Sequence, residues 1–184
     1  MNRLMMAVAA LAMVGCSGSV NGTVGGFSLN VSDSIFAILK DNSGKQTGAL
    51  VFLSDKPRIC ESLKANRSAK SATGLLLAMS RSNNDGSISP DVGDYTVIDR
   101  DPTSAGNFAF ASFSRTDSNC DPTLSNDASG AKSGLVKVTT LKGEANGNAV
   151  GTFDITFGGG DKVTGNFNAS FCDISQVQPN PNCE

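Results

Sequence analysis

Apolar and polar residues alternate with a period of two through the last third of the chain. In Asn148 to Phe157, Phe153, Ile155 and Phe157 alternate with Thr152, Asp154 and Thr156. In Lys162 to Cys172, Val163, Phe167, Ala169 and Phe171 alternate with Thr164, Asn166, Asn168 and Ser170. A period of two turns one face of each segment to a core and the other to water, which is the pattern of a half-buried β-strand. With Leu135 to Leu141 these segments are separated by glycine-containing turns and predict a meander. Pairing Phe157 with Val163 sets Phe153 opposite Phe167 and Ile155 opposite Gly165, leaving Gly158-Gly159-Gly160-Asp161 at the tip.

The first half reads in the same way with shorter signals. Gly26 to Val31 alternates through Phe27, Leu29 and Val31. Ser34 to Lys40 is a compact apolar run closed by Asp41-Asn42-Ser43-Gly44, and Gly48 to Leu53 repeats it, so the two predict a hairpin. Gly74 to Ser80 and Gly93 to Ile98 are further strands, the second carrying Tyr95. Asn107 to Arg115 holds Phe108 and Phe110 on one face and Phe113 out of phase, which a bulge near Ala111 or Ser112 would correct. The best helix candidate is residues 57–66, with Asp55 as cap, Pro57 in the first turn, and Ile59 and Leu63 on one face beside Cys60. Asp117 to Ser133, which contains Cys120, is too poor in large apolar residues for a core strand and predicts a loop or a disulfide-pinned excursion. The whole predicts an all-β domain, an antiparallel sandwich or partly closed barrel of about eight to ten strands with one short helix.

The first sixteen residues are organised differently. Asn2 and Arg3 precede an uncharged run from Leu4 to Val14, about the length of a signal-peptide core and too short to span a bilayer. Gly15 and Cys16 follow, and the composition then turns to Ser, Gly, Asn and Val. This order resembles the bacterial lipobox, with Met13 where that family most often has Leu. The resemblance implies that residues 1–15 are removed, that Cys16 becomes an acylated N-terminus, and that the protein is held on a membrane. Ser17 in place of Asp after the cysteine implies, by resemblance to enterobacterial sorting, the outer membrane. Ordinary signal-peptide cleavage without lipid and a buried N-terminal helix are the alternatives. An apolar run with no polar face does not make an amphipathic surface helix, which weighs against the second. Residues 16–22 then read as the lipidated cysteine and a short tether, and residues 23–184 as a single β-domain, similar in general style to many secreted bacterial β-proteins.

Beyond the leader, four cysteines remain: Cys60, Cys120, Cys172 and Cys183. In an exported chain an even number predicts two disulfides. Three connectivities are open; the pairing expected is Cys60 with Cys120 and Cys172 with Cys183, the second tying down a Pro-Asn tail. There is no CxxC spacing for zinc, and with no histidine in the chain the commonest general base and transition-metal ligand is missing. Lys and Arg total 15 against 17 Asp and Glu, so charge gives no reason to expect a nucleic acid partner.

Local motifs yield to turns. Arg81 to Val92 resembles an EF-hand loop through Asn83, Asp85 and Gly86, but Arg81 and Val92 occupy positions that require carboxylates, so no metal is expected there and an Asn-Asp-Gly hairpin turn is. Gly158-Gly159-Gly160-Asp161 is a single copy of a turn that β-rolls use in tandem. Asp99 and Asp101 sit in a Pro-containing polar loop, and Ser129-Gly130-Ala131-Lys132 in another, so neither suggests an acid-base pair or a Ser-Lys dyad. No cofactor loop is present and no catalytic residue is assigned. The function expected is that of a membrane-anchored cell-envelope lipoprotein whose non-enzymatic β-domain binds an envelope protein, a surface or a small apolar ligand. The alternative is a secreted hydrolase-like envelope enzyme with a site on its loops.

Overall fold

A computed structural model of the chain describes residues 18–100, 102, 104–175 and 182–184. Among them the elements run β1 (Ser19–Gly22), β2 (Asp33–Lys40), β3 (Gln46–Ser54), α1 (Ile59–Lys64), β4 (Arg67–Ser68), β5 (Thr73–Asn83), β6 (Gly86–Ile88), β7 (Gly93–Val97), β8 (Gly106–Arg115), α2 (Asn126–Ser129), β9 (Ala131–Leu141), β10 (Asn148–Phe157), β11 (Lys162–Phe171) and β12 (Asn182–Cys183).

The fold is all-β, and the sheet closes. Around the barrel the strands follow the order β2, β3, β5, β8, β7, β9, β10, β11, and β11 returns to β2 through Ser170↔Ile35 and Phe171↔Phe36. Most neighbours are antiparallel, but the closing pair and β7 with β8 are parallel. A closed barrel removes the exposed sheet edges that a sandwich would have to protect. Outside the ring, β6 extends β5 as a hairpin and β4 pairs with β12.

Alternation decides the interior. Phe36, Val51, Leu77, Tyr95, Val136 and Ile155 are all fully buried in one cluster with their strand neighbours. An eight-stranded barrel is just wide enough for side chains to fill, and here small residues (Ala49, Ala109, Ala111, Ala149) alternate with large ones to do so. The predicted bulge in β8 is absent: β5 and β8 pair without a shift from Thr73↔Arg115 to Ser82↔Gly106. Phe113 therefore points inward with Ala109 and Ala111 and meets Phe157 edge-on at 6.2 Å, while Phe108 and Phe110 face outward.

The closing hairpin keeps its predicted faces with a register two residues away from the expected one. Ile155, not Phe157, pairs with Val163, which places Phe153 opposite Gly165 and Gly151 opposite Phe167. Each aromatic ring thus lies over a glycine: a Cβ at Gly165 would stand 2.5 Å from the Phe153 ring, and one at Gly151 2.5 Å from the Phe167 ring. Phe opposite Phe would crowd the narrow barrel, whereas ring over glycine fits.

Three further expectations change. Ser19–Gly22, read as tether, is a strand against Val163 to Asn166 of β11. Gly26 to Val31 is not a strand. Gly25 and Gly26 turn at positive φ, Val24 and Phe27 bridge, and Leu29 enters the core without sheet pairing. Its alternation reflects burial alone.

The helix α1 is shorter than residues 57–66. Its first amide, Ile59 N–H, donates to Asp33 Oδ2 at 2.9 Å, while Asp55, the expected cap, accepts from Thr73 N–H at 2.9 Å and holds the start of β5.

Candidate functional site

A helix of six residues has little stability of its own, so α1 is held by its surroundings. Asp33 anchors its N-terminus. Cys60 is bonded to Cys172, the residue after β11, and Ile35, Ile59 and Cys172 form a second buried cluster outside the barrel, flanked by Phe52, Leu63 and Ile174. The other disulfide joins Cys120 to Cys183 and fixes β12, which lies beside Arg67–Ser68 of β4. The expected pairing of Cys60 with Cys120 and Cys172 with Cys183 is thus corrected. Closure of β11 on β2 carries Cys172 to the outer wall under α1, and the tail is tied through Cys120 instead.

These crosslinked pieces stand over the outer wall of β3, β5 and β8, and the wall is hollow beneath them. Going across the three strands, one rung is Phe52, Leu76 and Ser112, and the next is Ser54, Gly74 and Ser114. The second rung is small in every strand. A Cβ on Gly74 would stand 2.7 Å from the Phe52 ring, so glycine allows that ring to form one wall. The result is a cleft of about 280 Å³ between this rung and the roof of Pro57, Ile59, Leu63 and Ala69. Lys56, Ser62 and Arg67 also line it. A second cleft of about 220 Å³ lies on the other side of Phe52 and Leu63, walled by Ile35, Leu50, Leu76 and Ile174.

No protein family model, curated protein or solved structure matches the chain.

The other residues considered from the sequence do not converge. Cys16 and Asp101 lie outside the described residues. Asp99 accepts from Arg100 Nε at 3.2 Å and stands 3.9 Å from Lys132 Nζ. Ser129 ends α2, a helix where a loop was expected, and its hydroxyl donates to Asn126 O at 3.1 Å, so Ser129 and Lys132 are directed to different partners. Asn83 and Gly86 pair across the predicted hairpin turn, where Asn83 Oδ1 accepts from Asp85 N–H at 3.0 Å. Asp161 accepts from Gly25 N–H at 2.7 Å and locks the turn at the end of β10. The carboxylates of Asp99 and Asp161 each have a local structural task.

The displaced pKa values also belong to structure. A hydrogen bond from the Ser43 hydroxyl, with others from the Ser43 and Lys45 amides, lowers that of Asp41 in the β2–β3 turn. Bonds from Ser175 lower that of Asp173. Burial raises that of Tyr95, whose hydroxyl donates to Asp91 O at 2.6 Å and accepts from Asp91 N–H at 3.0 Å. None of the three lines the 280 Å³ cleft.

Tyr95 gives a pH prediction. Because folding raises its pKa above the ordinary 10.0, the fold favours the neutral phenol. That contribution is whole below the ordinary value and is lost as pH climbs through the raised one. Urea unfolding from about pH 9 to about pH 11 should show stability falling faster in the parent protein than in Tyr95→Phe. Equal slopes would contradict it. The chain holds one tyrosine and no tryptophan, so tyrosinate absorbance reports this residue alone.

The cleft itself was not legible in the sequence. Its residues come from β3, α1, β4, β5 and β8, and the small rung exists only once the register is known. Ser54, Gly74 and Ser114 carry no shared spacing. The sequence does carry one trace, since each is a small residue next to a strongly apolar stretch.

Proposed function

We propose that this protein is a bacterial cell-envelope lipoprotein, anchored through acyl chains on Cys16, whose barrel is a non-enzymatic binding module working through the cleft under α1. The observation that carries the binding reading is the filled barrel. With Phe36, Tyr95, Phe113 and Phe167 packed inside, a ligand has to be met on the outer wall. There the two clefts flank a helix that a disulfide holds in place. A shallow, apolar recess with rigid walls suits a small apolar ligand.

The anchor reading rests on the order of charge, apolar run, small residue and cysteine in residues 1–16. Two disulfides in the domain agree with an oxidising compartment. Because Ser19 already belongs to β1, only Ser17 and Gly18 separate Cys16 from the sheet. At ~3.5 Å per extended residue, the lipid attachment would lie within about 10 Å of the barrel. One acyl chain holds a protein weakly, and two or more hold it durably.

Fractionation tests this reading. The parent protein is expected in the detergent-extracted membrane fraction and Cys16→Ala in the soluble fraction. Equal membrane association of the two would overturn the anchor.

A further inference from the structure

The lining of the 280 Å³ cleft is unequal in charge. Lys56 and Arg67 stand at it, and among the described residues no Asp or Glu lines it. Arg67 is already paired, its Nη1 lying 2.9 Å from Glu184 Oε2 at the exposed rim. Lys56 differs. It is half-buried, and among the described residues its ammonium has no carboxylate or hydrogen-bond partner. A half-buried lysine lays its stem along apolar surface and keeps its ammonium at the rim, so an unmatched ammonium at the mouth of this cleft favours an anion there. The Ser62 hydroxyl, also half-buried, is likewise without a partner among the described residues and offers a donor to the same ligand. The hydroxyl of Thr116 is spent, donating to Ala69 O and accepting from Ala72 N–H.

Phe52, Pro57, Ile59, Leu63, Ala69 and Ala72 make the apolar part of the lining, and Ser54, Ser68, Thr73 and Ser114 stand among them. Size sets the rest. An apolar cavity of about 150 Å³ takes a benzene ring, so 280 Å³ suits about ten to twelve heavy atoms and is too small for a diacyl lipid.

We propose that this cleft binds a small free anionic amphiphile, a medium-chain carboxylate or a compound of like shape, with its tail against Phe52 and Leu63 and its carboxylate on Lys56. The proposal rests on the reading of the barrel as a binding module and adds the ligand's class.

The chain from Ser17 to Glu184, which holds every described residue and lacks both the apolar run and Cys16, is titrated with octanoate and with its neutral isostere octanamide while backbone amide shifts are followed. Saturable octanoate shifts are expected at Ser62, Leu63, Arg67 and Gly74. Octanamide should bind about tenfold more weakly, the size expected of one charge-assisted hydrogen bond. Lys56→Gln should bring octanoate down to the octanamide affinity, and Ser114→Leu, which fills the open edge of the small rung, should weaken both. Equal affinity for the two probes, or an octanoate affinity unchanged by Lys56→Gln, would overturn the anionic preference and leave the binding reading standing. If neither probe moves these amides, both are overturned.

Discussion

Phe153→Ala and Phe167→Ala are each expected to lower the free energy of unfolding by about 3 to 5 kcal/mol. Both rings are buried, at 4% and 1% exposure, and each covers a glycine on the neighbouring strand. Truncation leaves a void that the barrel cannot close by moving one strand, because each strand is bonded on both sides. A domain of this kind is stable by about 5 to 15 kcal/mol, so the loss is a large part of the total. Thr164→Ala and Asn166→Ala on the opposite face of β11 are expected within about 0.5 kcal/mol of the parent, Asn166 losing one exposed bond to Ser19 Oγ. Urea midpoints measure all four. A loss from the wet-face changes as large as that from the core changes would contradict the assignment of faces.

Removing the Cys60–Cys172 bond is expected to cost about 2 to 5 kcal/mol. Its two cysteines are 112 residues apart, so the crosslink closes most of the domain into one loop of the unfolded chain. Cys120–Cys183, with a separation of 63, closes a shorter loop that interleaves with the first. The double variant Cys60→Ala with Cys172→Ala should also release α1, which has few other attachments, and open the amides of Ile59 to Lys64 to hydrogen exchange. A peptide map of unreduced protein should join Cys60 to Cys172 and Cys120 to Cys183. A map joining Cys60 to Cys120 would contradict the fold, since those residues are held in different crosslinks.

How much of this was legible depends on the range of the signal. Period-two alternation over β10 and β11 located both strands and their dry faces, because burial on one side is a local property of a strand. The register was not local. The choice between Phe opposite Phe and Phe opposite glycine is made by the width of the barrel, which no pair of strands reveals. β8 failed for the same reason. Three phenylalanines in nine residues invite a common face, yet the interior had room for Phe113 only, with Ala109 and Ala111 leaving space for the larger side chains of β5. The disulfides were legible as a count but not as a pairing, because the parallel contact of β11 with β2 that brings Cys172 to α1 has no sequence signature. The small rung that makes the cleft is hidden likewise. It is a coincidence of three strands in register, and Lys56 looks like an ordinary loop lysine until its surroundings are known.

The function proposed above has an exported, crosslinked barrel held to a membrane through Cys16. The intact mass of the mature protein extracted from its native membrane, with alkylation before and after reduction, tests this. A chain that begins at Cys16 and carries the added mass of acyl groups, with four cysteines that take up alkylating reagent only after reduction, is expected. A chain that retains residues 1–15, or one that begins elsewhere without lipid, would contradict it.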